Sequence, residues 1–364
     1  MFERILKYRR DLHQIPELDF DLPKTTAYVR SVLEKLPCEV FSPDGHAVCA
    51  WFDAGAHEAV AFRSDMDALP ICEVSGVPFS SRHQGHMHAC GHDGHMAMLL
   101  GTAKDLNDGV IKPKSNILLV FQPAEETTGG AKPILDSKVF EKYNVTRVFG
   151  MHLIPDLPKG QLYTKSGAMM AKSCEITVDI EGVSSHIAKY EQGADALLAA
   201  AEFITRVYGG LQAMSDIKYK LLRFGKLTSG SVRNAVSSHS TLLGSLRCFD
   251  ENDFVRLKEL AQNTADDIDS LYKTKTAITL NEGYPPLIND SGLVQKLKQI
   301  LPIRELTEPR MITDDFSWYQ KKVPGVYIFL GTGTNISLHS PEFDFDESIL
   351  DIGKNAYKAI TENL

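Results

Sequence analysis

The chain has no run of 18 apolar residues, the length at which a helix becomes able to span a bilayer. Its opening, MFERILKYRRDLHQ, is charged throughout and lacks the apolar stretch of a secretory leader. Both absences point to a soluble, cytoplasmic protein. Basic charge is scarce: 39 Lys and Arg stand against 47 Asp and Glu, a formal net charge of −8. Neither nucleic acid nor a membrane surface is therefore expected as a partner. Cysteine is sparse and scattered. The six cysteines, at 38, 49, 72, 90, 174 and 248, read as reduced thiols rather than a disulfide frame. Repeats and low-complexity segments are missing too.

What remains is an ordinary globular composition, 43% hydrophobic and 24% charged over 364 residues, enough for two domains. FERILKYRRDLHQ and LPKTTAYVRSVLEKL carry apolar residues at helical spacing, broken at Ile15 and Pro16. The short apolar runs AVCAWF, AVAF, NILLVF and VTRVFG then alternate with the helical patterns GHMAMLLGTAKDL and GGAKPILDSKVF. This alternation predicts an α/β layer with a mostly parallel sheet flanked by helices.

From about residue 172 the pattern changes. KSCEITVDIEG alternates as a half-exposed strand, ADALLAAAEFITRVYGGL is helical, and IKYKLLRFGKLT and STLLGSLRCF are strands. ENDFVRLKELAQNTADDIDSLY then reads as a capped helix and KTAITLNEG as a last strand. The order β-α-β-β-α-β predicts an inserted ferredoxin-like α+β domain at 172–282, within an α/β domain built from 1–171 and 283–364.

In open α/β sheets functional groups gather beyond the carboxyl ends of the strands. AVAF is followed by Asp65 and Asp67, NILLVF by Glu125 and Glu126, VTRVFG by His152, and VYIFLG, a little later, by His339. The stretch HMHACGHDGHMA adds Cys90 and His92. A lone histidine is usually a satisfied core or surface residue, adjacent glutamates are usually a solvated turn, and a strand-end aspartate is often a helix cap. Convergence of all of them on one sheet edge is what points to a metal. Mixed oxygen, nitrogen and sulfur donors suit Zn²⁺, Co²⁺, Ni²⁺ or Mn²⁺, the first three being favoured if a thiolate binds.

The motifs RRDLHQIPEL, RSDMDALP, HMHACGHDGHMA, VFQPAEE, MHL and LHSPEFDFDE resemble, in order and over nearly the whole chain, the signatures of the M20 metallopeptidase family. They are most similar to its amidohydrolase branch, which includes hippurate hydrolases, auxin-conjugate hydrolases and N-acetyldiaminopimelate deacetylases. The resemblance implies a zinc-peptidase-like catalytic domain in which Cys90, His92, Glu126, His152 and His339 hold two divalent metal ions. It implies that Glu125 is the general base acting on a metal-bound water, and that Asp65 orients a ligand from behind. It makes the inserted domain a lid and the seat of a homodimer. His186 of EGVSSH then matches a histidine that reaches the substrate carbonyl, while Asn234 and Arg247 match contacts to the substrate carboxylate, a group that a guanidinium can hold bidentately.

The branch carries arginine where wider M20 enzymes have a metal-binding histidine, so Arg63 is not counted as a ligand. His86, His88 and His95 are left to structural or supporting roles. The usual GHAAxPH of the inserted domain is SHIAKYEQ here, with Glu191 near the place of its second histidine. The implied activity is hydrolysis of the amide of a small N-acyl amino acid. N-acetyl-L,L-diaminopimelate, a lysine precursor, is the leading specific substrate, on the segment TTGGAKPIL. A general aminoacylase of the hippurate type, a dipeptidase, and a degenerate homologue that only binds metal or ligand are the alternatives.

Overall fold

Residues 2–364, described by a computed structural model, divide into two units, one comprising the chain up to Met169 with Ile288–Pro309 and Asp314–Leu364, the other Met170–Leu287 with Arg310–Thr313. In chain order the helices are α1 (Phe2–His13), α2 (Pro23–Leu33), α3 (His92–Asn107), α4 (Ala131–Asp136), α5 (Val139–Lys142), α6 (Ala196–Ala213), α7 (Glu251–Tyr272), α8 (Ser291–Ile300), α9 (Ser317–Gln320) and α10 (Ile349–Asn363). No helix among the described residues is long and apolar enough to cross a membrane.

The first unit is an α/β layer around one eight-stranded sheet. Its strands are β1 (Glu39–Phe41), β2 (Val48–Phe52), β3 (Ala59–Asp65), β4 (Asn116–Gln122), β5 (Val145–Ile154), β6 (Leu162–Thr164), β13 (Ile303–Glu305) and β14 (Gly325–Gly331), in the order β1-β2-β4-β3-β5-β14-β6-β13. The central four, β4, β3, β5 and β14, run parallel. AVAFRSD, NILLVFQ and GVYIFLG are buried at every position, as strands covered on both faces must be. Ile5 and Leu12 of α1, Met96 and Leu99 of α3, and Tyr357 and Ile360 of α10 join Phe62, Phe149 and Ile328 in one core.

The single helix expected over 129–140 is two. Lys138 takes φ +61° and ends α4 before α5 begins, because a residue in the left-handed region cannot continue a right-handed helix.

The second unit holds β8 (Lys172–Glu181), β9 (Leu221–Ser229), β10 (His239–Cys248) and β11 (Lys275–Glu282) with α6 and α7, an antiparallel sheet in the order β11-β8-β10-β9. Asp195 and Asp250 cap α6 and α7 with their side chains. One face of the sheet, including Ile176, Val178, Leu242 and Leu246, packs on Phe203 of α6 and Phe254 and Leu257 of α7. This is the β-α-β-β-α-β unit. The short strands β7 (Gly167–Met170) and β12 (Leu287–Asn289) form a two-stranded sheet of their own.

Candidate metal centre

The parallel strands β3, β4 and β5 bring Asp65, Glu125, Glu126 and His152 to one region of the first unit. β3 ends at Asp65, with Asp67 two residues on; β4 ends at Gln122, and a turn through Ala124 at φ +57° leads to Glu125 and Glu126. His152 is on β5, and His339, itself at φ +64°, comes from the segment after β14. Cys90 and His92 flank Gly91 at the start of α3. Gly91 has φ +81°, and a Cβ there would meet Leu153 Cδ1 at 3.0 Å, so any other residue is strained and crowded at once.

The five expected ligands fall into two overlapping groups. Cys90, His92 and His152 place ligand atoms within 4.8 Å of one another, and so do Cys90, Glu126 and His339. Cys90 is common to both. Its Sγ lies 3.4 Å from His152 Nε2, while Glu126 Oε1 lies 3.2 Å from His339 Nε2 and 3.8 Å from His92 Nε2.

Main-chain hydrogen bonds fix the tautomers of two of these rings. His92 Nδ1 donates to the carbonyl of Asp67 at 2.8 Å, and His152 Nδ1 to that of Leu153 at 2.7 Å. Each ring thus offers Nε2 as a donor atom, the orientation that metal-binding histidines take. His92 Nε2 is buried and makes no hydrogen bond.

The charge balance is acidic. Asp65, Asp314 and Asp315 are buried around the guanidinium of Arg63, Glu125 groups with Asp314 and Asp315, and Asp67 is buried beside His92 and Glu126. Burial opposes charge on His92, yet Asp65, Asp67 and Glu126 push its pKa up to about 10, so that an ion at Nε2 would take the place of a proton. Burial, with Glu126 and Glu125, raises the Cys90 thiol well above its ordinary value, and a bound cation reverses that by taking the thiolate as ligand. Burial together with Asp314, Glu126 and Asp315 raises Glu125 well above the usual carboxylate range. Glu126 goes the other way, to about 2, because His339 and His92 outweigh its burial. An unpaired imidazole nitrogen, a buried thiol and surplus carboxylate charge fit divalent cations.

Comparison with known proteins identifies the family. The profile of Peptidase family M20/M25/M40 matches residues 61–363. The chain belongs to this family. It is thereby a metal-dependent hydrolase of M20 type. It is 32% identical to an N-acetyldiaminopimelate deacetylase of Bacillus velezensis over 97% of this chain and 96% of the relative. It is also 33% identical to an uncharacterized hydrolase of Staphylococcus epidermidis over 99% and 98% of the two chains. Among solved structures, a dinuclear metal binding peptidase of the M20 family from Bacillus subtilis superimposes with a TM-score of 0.86 at 29% identity, covering all of this chain and 99% of the other.

Within this M20 site several residues do work that their sequence neighbours do not announce. Asp65 was expected to orient a ligand. Its Oδ1 accepts from His95 Nδ1 at 2.7 Å and its Oδ2 from Arg63 Nη1 at 2.7 Å, while Oδ2 stays 3.7 Å from His92 Nε2. His92 is held instead by the Asp67 carbonyl, and Asp67 Oδ2 accepts the N–H of Glu126 at 2.9 Å. His95 Nε2 accepts the N–H of Leu153 at 3.0 Å, so the ring is neutral with both nitrogens engaged and has no lone pair for a metal. Arg63 donates to Gln122, Asp65 and Asp315. Asp314 and Asp315, from the loop before α9, group with Glu125; no apolar run announces them. His88 is buried with neither ring nitrogen hydrogen-bonded, and burial drives its pKa down to about 3.

His186, Asn234 and Arg247 lie in the second unit. His186 is exposed; its Nδ1 accepts from the N–H of Ala188 at 3.1 Å and so caps a short 3₁₀ turn. A bridge between His186 and Ala235, with the Ile187 N–H donating to the Asn234 carbonyl at 3.0 Å, sets His186 beside Asn234 in the backbone. Arg247, on β10, is half-buried and donates to the Met311 carbonyl.

Proposed function

We propose that this M20 hydrolase cleaves the amide bond of small N-acyl amino acids, with Cys90, His92, Glu126, His152 and His339 holding two divalent ions and Glu125 as general base. The observation that carries the reading is Cys90's place in two ligand groups at once, with the buried Glu125 beside Glu126. When bound, the ions supply Lewis acidity that makes water nucleophilic near neutral pH and polarises the scissile carbonyl.

The chain's own residues do the rest. Glu125 takes the proton of the attacking water on its carboxylate and passes it to the leaving nitrogen. Asp65 keeps Arg63 and His95 in place, and the Asp67 carbonyl holds the His92 ring. From the inserted domain, His186 polarises the substrate carbonyl, while Asn234 and Arg247 bind the substrate carboxylate. Support for this comes from residue chemistry: Arg247 offers a planar fork of donors that matches a carboxylate.

N-acetyl-L,L-diaminopimelate is the leading substrate, supported by the Bacillus velezensis relative's name at 32% identity and the TTGGAKPIL segment. With that substrate the enzyme serves lysine biosynthesis in the cytoplasm. Residues 172–282 act as lid and dimerisation domain, supported by the exposed apolar side chains Val183, Leu197, Leu198, Leu227 and Leu243. Amine release from a panel of N-acyl amino acids and dipeptides, on protein reconstituted separately with Mn²⁺, Co²⁺, Ni²⁺ and Zn²⁺, tests the assignment. Preference for N-acetyldiaminopimelate supports it; preference for benzoyl or long acyl groups makes the protein a scavenging aminoacylase. Cleavage of nothing on the panel with any metal leaves a binding protein.

A further inference from the structure

The motif RRDLHQ has no part in the chemistry above, yet Arg9 and His13 are each only 1% exposed. Both side chains converge on Asp93, the residue after His92. Asp93 Oδ2 accepts from Arg9 Nε at 3.2 Å and from His13 Nδ1 at 2.8 Å. The other nitrogens of Arg9 turn to the segment that follows His339: Nη2 donates to Asp344 Oδ1, and Nη1 donates to the Phe345 carbonyl at 3.4 Å and lies 3.4 Å from Glu347 Oε1. The guanidinium carbon sits 3.8 Å from the centroid of the Phe345 ring. His13 Nε2 lies 3.1 Å from Glu73 Oε1, and Glu73 Oε2 accepts the N–H of Ser81 at 2.6 Å.

We propose that Arg9 and His13 are positioning residues for the metal centre: from α1 they clamp the start of α3, which carries His92, to the segment after His339, so that ion affinity depends on a helix contributing no ligand. The inference rests on the reading of His92 and His339 as ligands. Only a planar fork can serve both directions, because Nε points to one segment and the two Nη atoms to the other; a lysine ammonium on its flexible stem cannot hold that geometry. The two segments also meet directly, through the His339 N–H and the Ala89 carbonyl at 2.9 Å. The clamp reinforces this contact from behind, as residues that orient metal ligands do.

Divalent-ion affinity of the full-length protein, measured by Zn²⁺ competition with a chromogenic chelator and paired with the melting temperature of the metal-free protein, separates positioning from bulk stabilisation. Arg9→Lys tests the whole clamp. Asp344→Ala cuts only the His339 arm, at a side chain 32% exposed. Lys159→Ala is the control, since it removes an ion pair to Asp346 in the same segment between side chains 50% and 51% exposed, without touching Arg9.

We expect Arg9→Lys and Asp344→Ala to lose about 10- to 100-fold in affinity for at least one ion. Lys159→Ala is expected to match wild type, and Asp344→Ala to melt no lower than that control. Wild-type affinity for both ions in Arg9→Lys and Asp344→Ala overturns the clamp, as does an equal loss in Lys159→Ala. A wild-type protein that takes up no ion overturns the ligand assignment itself, and the clamp with it.

Discussion

Cys90 Sγ stands 3.4 Å from His152 Nε2, and the same sulfur also groups with Glu126 and His339. On the proposed assignment, Cys90 would offer its sulfur to both groups of ligands. Cys90→Ala is therefore expected to weaken retention of both ions by more than about 100-fold, beyond the roughly 10- to 100-fold cost of losing a merely supporting contact. Metal content after dialysis, by atomic emission, checks this: two ions per chain in the wild type, and fewer than one in the variant.

His95 joins Asp65 to the backbone of Leu153, next to His152. His95→Ala leaves a buried carboxylate oxygen and a buried N–H without partners, each costing roughly 1–3 kcal/mol. Chemical denaturation should show a loss of about 3 kcal/mol or more. A variant as stable as wild type would mean that the relay has no structural weight.

His13 gives the fold a basic-side pH dependence. Burial opposes its charge, but Asp93 and Glu73 prevail and push its pKa up to about 9 from 6.5. A pKa raised in the folded state stabilises fully below the unfolded value and stops doing so as pH climbs through the folded one. The contribution, on the order of 3 kcal/mol for a shift of this size, is present at pH 6 and declines between about 6.5 and 9. Denaturation of wild type and His13→Gln across that range should show their difference shrinking as pH rises; a constant difference contradicts the assignment.

Much of the fold was legible because burial writes itself into periodicity. AVAFRSD, NILLVFQ and GVYIFLG are apolar enough to mark strands covered on both faces, and KSCEITVDIE alternates as a sheet with one face on helices must. Three-residue strands such as Glu39–Phe41 and Ile303–Glu305 are too short to show a period. The break at Lys138 depends on one backbone angle, which composition does not reveal. In the candidate site, Asp65, Asp67, Glu125 and Glu126 stand at or just past strand ends, where position alone draws attention to them, while His152 lies within β5. Asp314 and Asp315 escaped that rule because they stand in a loop, and the neutral, fully engaged state of His95 depends on Leu153, 58 positions away. The role of the Asp67 carbonyl is invisible to any reading of side-chain types.

Gly91 separates two of the expected ligands at φ +81°. Gly91→Ala places a Cβ 3.0 Å from Leu153 Cδ1 and costs roughly 1–2 kcal/mol in the left-handed region alone. Its larger effect should fall on metal affinity, since Cys90 and His92 shift together. Calorimetric titration with Mn²⁺ or Zn²⁺ measures that, and unchanged affinity would show that the turn tolerates a side chain.

The most direct test of the whole account is Glu125→Gln, assayed for turnover and metal content on the same preparation. Glutamine keeps the shape but cannot take up the proton, so turnover should fall by about 10²- to 10⁴-fold while metal content stays at the wild-type level. Undiminished turnover would contradict Glu125 as the general base.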